Sequence, residues 1–169
     1  MANAVVIKSR VEATDVASKN ISMQYTADVN NGIAVTKGAM ANTLTGNTVY
    51  TAVLAQSGLT FTILGPVYMP IAGKNMLTSE VKGYKLEVKT NTANIYMAHS
   101  PEVSKDVVGN VLAGIDPRNF TNSAGKPFDA FKLEVGDTID VTNDFFSTAP
   151  VTGNNTVTLT AGAYVPSTV

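Results

Sequence analysis

Residues 21–38 constrain this chain more than any other stretch. Ile21, Met23, Tyr25, Ala27 and Val29 alternate with Ser22, Gln24, Thr26 and Asp28, and a sustained period of two marks a half-buried strand. Asn30-Asn31-Gly32 comes next. Asn and Gly accept positive φ at low steric cost, so Asn31 and Gly32 suit the centre of a type I′ turn, whose twist matches the strands around it. Ile33 to Lys37 resumes the extended pattern and Gly38 ends it. The stretch predicts a β-hairpin.

The rest of the chain extends that theme. With 169 residues it is of one-domain length, able to bury roughly 70% of its unfolded surface without a cofactor or crosslink. Charged residues make up 15% and aromatic residues 7%, with no Trp, so polarity comes from Thr, Ser and Asn, and Thr and Val favour sheet over helix. Twelve basic and thirteen acidic side chains leave a net charge of −1. No nucleic-acid partner is expected on that balance, because the basic footprint is missing. Lys74, Lys82, Lys85 and Lys89, with Glu80 and Glu87 among them, read as a solvated face. The absence of cysteine excludes disulfides and thiolate chemistry. No apolar run reaches the length of a membrane-spanning helix and the first ten residues lack a secretory pattern, so cytoplasmic synthesis and no membrane partner are expected.

Further strands are expected at Val5 to Val11, Asn47 to Ala55, Leu59 to Gly65, Tyr84 to Lys89, Asn94 to Ala98, Phe131 to Val135, Ile139 to Val141, Thr156 to Thr160 and Ala163 to Val165. Val67 to Met69, set between two prolines, reads as a short edge piece at most. Gly136-Asp137 lies between two alternating apolar sets and predicts a second hairpin-like reversal. Thr14 to Ser18 and Asn143 to Phe146 read as helical turns, the latter plugging one end of the fold. Ser100-Pro101-Glu102 carries helix-start signals, and Ala39 to Gly46 and the turn-rich stretch Asp116 to Pro127, pinned by Phe120, read as loops. The sum is an all-β protein: an antiparallel barrel or sandwich of about ten short strands with one or two short helical turns. Residues 1–13 form an N-terminal strand or arm and 14–169 a single β domain, with 71–83 as the candidate internal boundary.

Chemistry is sparse. His99 is the only histidine, so a Ser-His-Asp triad or an imidazole metal site would need it, yet it sits at a strand end without a nucleophile elbow. Asp137, Asp140 and Asp144 are the tightest acidic group, but their spacing departs from a calcium loop and reads as turn and cap carboxylates. No phosphate-cradling glycine loop precedes a helix, and the aromatics look committed to the core. Catalysis, a metal and a cofactor are therefore not expected.

One resemblance adds to this reading. Ala4-Val5-Val6-Ile7-Lys8-Ser9-Arg10-Val11-Glu12, Asn31-Gly32 leading into Val35-Thr36-Lys37-Gly38, Asp116-Pro117-Arg118-Asn119-Phe120-Thr121-Asn122, and Phe131-Lys132-Leu133 before Val135-Gly136-Asp137 together resemble small structural proteins of tailed bacteriophages, most of all capsid decoration (cement) proteins. That resemblance implies an all-β virion protein without an active site, which binds the outside of the assembled head and contacts several copies of the major capsid protein, often as a dimer or trimer. Val5, Ile7 and Val11 are then the candidate capsid-contact arm, since a terminal strand can be added to a neighbour's sheet. An edge strand of the chain's own domain is the competing reading. Other functions compatible with the strand pattern are a carbohydrate-binding or adhesin-like β module and a tail-tube or connector subunit.

Overall fold

A computed structural model describes residues 3–14, 16–41, 48–70, 80–99, 118 and 120–169. The protein is all-β. Eleven strands are formed by the described residues: β1 (Val6–Arg10), β2 (Asn20–Gln24), β3 (Ala34–Ala41), β4 (Val49–Leu54), β5 (Leu59–Pro70), β6 (Glu80–Asn91), β7 (Tyr96–His99), β8 (Phe128–Lys132), β9 (Thr138–Thr142), β10 (Thr156–Thr160) and β11 (Ala163–Ser167). Short 3₁₀ turns occupy Glu12–Thr14, Ala17–Lys19 and Asn143–Phe145.

The strands divide into an open sheet and a closed barrel. The open sheet runs β1-β9-β6-β5-β10-β11, and the barrel closes in the order β2-β4-β3-β7-β8. All ladders are antiparallel except β2 with β4, which is parallel. Barrel and sandwich, alternatives from sequence, are thus both present.

The barrel interior holds Met23, Val35, Ala52, Ala98, Phe128 and Ala130. A five-stranded cylinder is narrower than the eight-stranded one that side chains just fill, so alanines at three of these positions let it close. The opposite faces of β3, β7 and β8 present Ala34, Met97 and Phe131 to the open sheet, where they meet Leu59, Phe61, Leu86, Ile139 and Val157 in the main core. Both faces are covered at Met97-Ala98 of β7 and Ala130-Phe131 of β8, all fully buried, and at the start of β3, whereas Lys37, Ala39 and Met40 farther along β3 are exposed. In β10 Val157 and Leu159 point inward as their alternation with threonine predicts and Thr160 is exposed, but Thr156, expected outward, is buried.

Several expectations are corrected. Asn31-Gly32 does form a turn, with the Ile33 N–H donating to the Asn30 carbonyl at 3.4 Å, and Gly32 has φ +86°. It is not a hairpin tip, because β2 pairs with β4 and β8 while β3 pairs with β4 and β7. The chain leaves the ladder after Gln24, and the Val29 N–H donates instead to the Asn122 carbonyl at 2.9 Å. Gly136-Asp137 likewise turns the chain without pairing its flanks: β8 belongs to the barrel and β9 to the open sheet. Here the Asp137 carboxylate decides the path. Its Oδ1 accepts from the Glu12 N–H at 3.0 Å and its Oδ2 from the Glu134 N–H at 2.9 Å, which draws the turn toward the segment after β1.

Val67 to Met69 is no separate edge piece, since β5 runs on to Pro70. β10 covers only Thr60 to Thr62, so beyond them one side of β5 is an edge among the described residues, and an edge tolerates Pro66. β3 extends to Ala41 into the expected loop, whereas 42–46, the helix signal after Ser100, and Asp116, Pro117 and Asn119 lie outside the described residues. Phe120 does not pin its loop, being 43% exposed; buried Asn122 does so through Val29. Residues 71–79 of the candidate boundary are also outside the described residues, while β5 and β6 on either side pair as far as Pro70 with Glu80.

Candidate functional site

The N-terminal strand gives the chain its most distinctive surface. β1 is a strand packed against the rest of the protein. Val6 is buried in the main core, Val5 packs with Met69 in a smaller cluster that Ile7 flanks, and Val11 is buried as well. β1 pairs with β9, Val6 opposite Val141 and Lys8 opposite Ile139, with a bulge between Lys8 and Arg10. The Val5 N–H donates to Thr142 Oγ1 at 3.0 Å and the Thr142 N–H to the Val5 carbonyl at 3.1 Å.

These two bonds set the phase of the ladder. Antiparallel pairs alternate between hydrogen-bonded and non-bonded, so with Val5 bonded to Thr142 the next bonded residue is Ile7. Val6 and Lys8 then turn their backbone N–H and C=O groups away from β9, toward a side that no described strand occupies. Lys8 and Arg10 supply charge along that edge. The Lys8 ammonium lies 5.1 Å from the centre of the Phe131 ring, and Arg10 has no ion pair among the described residues. Beside them, a cavity of about 470 Å³ is lined by Arg10, Val11, Val135 and Asp137, with Val135 69% exposed at its rim.

A charge network holds the base of this surface. Lys19 Nζ lies 2.9 Å from Glu12 Oε2 and 3.0 Å from Glu134 Oε1, and Lys132 Nζ is 3.4 Å from the same Glu134 oxygen. The hydrogen bonds to Glu12 and then Glu134 raise the Lys19 ammonium above its usual range, and the bond from Lys19 holds the Glu134 carboxyl below its own.

The candidate chemical groups do not converge. His99 packs edge-on against Phe131, with ring centres 5.7 Å apart. Asp137 caps backbone N–H groups, Asp140 pairs with Lys85 at 2.7 Å, and Asp144 is exposed on the 3₁₀ turn. Among the described residues no three His, Asp or Glu side chains gather as metal ligands. Lys82 lies 5.9 Å from the Tyr84 ring, Lys89 is exposed, and Lys74 is outside the described residues. The aromatics are not all in the core, since Tyr68 is 68% exposed.

Sequence reasoning missed a second cluster. Phe145 and Tyr164 stack with ring centres 4.0 Å apart, Phe146 meets Phe145 edge-on, and the buried Tyr164 hydroxyl donates to the Gly32 carbonyl at 2.7 Å. Burial raises the Tyr164 pKa, keeping the hydroxyl protonated. Asn31 sits beside it, also buried. The phenylalanine pair was legible as a plug, but nothing local joins residues 31–32 to 164. Among the described residues no helix is long and apolar enough to cross a membrane. No family model, curated protein or solved structure matches this chain.

Proposed function

We propose that this chain is a head decoration protein of a tailed bacteriophage, which binds the outer surface of the assembled capsid and bridges copies of the major capsid protein without catalysing a reaction. The observation that carries the reading is the edge of β1 that no strand among the described residues pairs with. It is anchored from within by Val6 and from below by Val5, so it is a rigid template rather than a loose tail. An extended coat segment can add to it through main-chain hydrogen bonds. Lys8 and Arg10 repel a second copy of the same edge and favour an acidic partner, a common way for edges to avoid self-pairing. A dimer or trimer of this chain would then form through another surface and bring several edges to one shell. Binding only the assembled lattice lowers that lattice's free energy by mass action, and repeated contacts add avidity.

The test is occupancy on empty heads assembled from the coat protein of the encoding phage, measured by mass photometry and co-sedimentation. The wild-type chain is expected to coat heads and to raise their disruption temperature. Lys8→Pro removes an outward N–H while leaving the bonds to β9, and is expected to abolish coating with little loss of fold. Absence of coating by the wild type overturns the decoration reading, and full coating by Lys8→Pro overturns the role of the β1 edge.

A further inference from the structure

We propose that the outer edge of β5 is a latent self-association surface: the strand it would accept is β5 of a second copy of this chain, and Pro66 and Pro70 hold it shut. The inference is independent of coat binding.

The phases of the ladders place both prolines. The Thr142 N–H donates to the Val5 carbonyl and so faces β1, which turns the next residue, Val141, toward its partner Tyr84 on β6. The Val88 N–H donates to the Asp137 carbonyl at 2.8 Å and puts the even-numbered residues of β6 in the same phase. Tyr84 therefore faces β9 and makes no ladder bond with Pro66, opposite it on β5. The backbone groups of Pro66, and by alternation those of Tyr68 and Pro70, point away from β6, to the side that β10 leaves uncovered beyond Thr62. A proline nitrogen carries no hydrogen, so Tyr68 holds the one donor among these three outward positions. The edge is open to solvent: Leu64 is 50% exposed, Tyr68 68%, and Pro66 between them is exposed as well.

β5 is the strand that most needs such a block. Leu59–Pro70 is 12 residues long and contains no Asp, Glu, Lys or Arg, and a long apolar edge without charge is a template for another chain. The other two edges of the open sheet are guarded differently. β1 carries Lys8 and Arg10. In β11, the two-residue turn at Ala161 and Gly162, both at positive φ, bonds Thr160 to Ala163 and leaves Tyr164 and Pro166 outward. The Ser147 N–H then occupies the Tyr164 carbonyl at 2.9 Å, and Pro166 offers no donor.

The absence of charge also selects the occupant. An acidic or basic segment would find no counter-charge on β5, whereas two copies of β5 related by a two-fold axis pair antiparallel with no like charges opposed. A register centred on residue 66 sets Leu64 of each copy opposite Tyr68 of the other, an aliphatic–aromatic pair. The net charge of −1 per chain adds little repulsion.

The test is sedimentation velocity of the full-chain Pro66→Thr/Pro70→Thr variant beside the wild type over a dilution series, with the fold checked by circular dichroism. Threonine restores the outward N–H groups without touching the bonds to β6. The variant is expected to add a two-fold step to the wild-type mass, about ten-fold or more tighter than any such step in the wild type, and its amides at 66, 68 and 70 are expected to exchange more slowly in the associated form. Adding Tyr68→Lys, which sets like charges on both edges, is expected to return the wild-type mass. Pro66→Thr alone is expected to show the same step more weakly, and carries the test where the paired substitution does not fold. The proposal is overturned if the folded variants keep the wild-type mass at every concentration, if the amides at 66–70 exchange equally in both forms, or if Tyr68→Lys leaves the association intact. Failure of both proline variants to fold overturns it too, since an outward nitrogen has no native bond for threonine to break.

Discussion

Gly32→Ala tests whether the 31–32 turn is a surface reversal or an interior joint. Two costs arise from the structure. Gly32 has φ +86°, where an L-residue loses about 1–2 kcal/mol, offset by about 0.4–1 kcal/mol because alanine narrows the unfolded ensemble. The new Cβ would also stand 2.9 Å from Phe145 Cδ2 and 3.1 Å from Val6 Cγ2. Both neighbours are buried, so relief requires moving the stacked ring or β1, and such overpacking costs about 1–3 kcal/mol. The net is about 2–4 kcal/mol, or about 5–15 °C in Tm for a chain of this length. Gly136→Ala is the internal control. Gly136 has φ +94° but nothing within 4 Å of its Cβ position, so only the backbone cost applies, about 1 kcal/mol. Urea unfolding of both variants, monitored by far-ultraviolet circular dichroism at unchanged m value, measures the difference. If Gly32→Ala costs no more than Gly136→Ala, the packing of Phe145 and Val6 against the turn is wrong, and the exposed hairpin expected from sequence returns.

Three further outcomes are expected. Tyr164→Phe strips the Gly32 carbonyl of its 2.7 Å donor in a buried site, costing about 1–3 kcal/mol in urea unfolding; a neutral result would mean water replaces the hydroxyl. Asp137→Ala leaves the Glu12 and Glu134 N–H groups without their acceptor, for a loss of about 2–4 kcal/mol, and wild-type stability in that variant would refute the capping role. Because the Lys19 hydrogen bond depresses the Glu134 pKa below 4.5, its contribution is present above that value and fades as pH falls through the folded-state pKa. The urea midpoint of Glu134→Gln is therefore expected to fall less steeply in acid than that of the wild type, and more so at low salt; parallel profiles would refute the coupling.

Strand existence was legible in this chain because it depends on neighbours two residues apart. Val157 and Leu159 against Thr158 and Thr160 fix β10 by periodicity alone, and the same holds for Leu86 and Val88 in β6. Pairing was not legible, since it depends on which apolar faces are left to meet once several strands exist. Asn31-Gly32 and Gly136-Asp137 have the local chemistry of reversals and do turn the chain, yet buried contacts distant in sequence decide where the chain goes after each turn: Phe145 and Tyr164 for the first, the Glu12 N–H for the second. The β1 edge was half legible. Val5, Ile7 and Val11 marked a strand, but the main core takes Val6 together with Val11 while Val5 joins the smaller cluster, because β1 is covered on both faces at its start.

The shared strands bear on how the edge can act. The start of β3, the middle of β7 and the end of β8 place neighbouring residues in the barrel and against the open sheet, so opening either layer exposes side chains of both cores. β9, which carries β1, is tied to β8 through the Asp137 turn and to β6 along Gly83 to Glu87. A load applied to β1 by a bound partner therefore spreads into β9 and β6, and through the Asp137 carboxylate into the end of β8, rather than peeling a single strand. Adhesion through a terminal strand needs that arrangement: the added strand gains only main-chain bonds at one edge, and the template must hold its shape without help from the partner. In this chain Val6 and Asp137 supply that hold from opposite ends of β1, and weakening either is expected to reduce the coat binding proposed above before it unfolds the protein, because local opening of an edge requires less free energy than global unfolding.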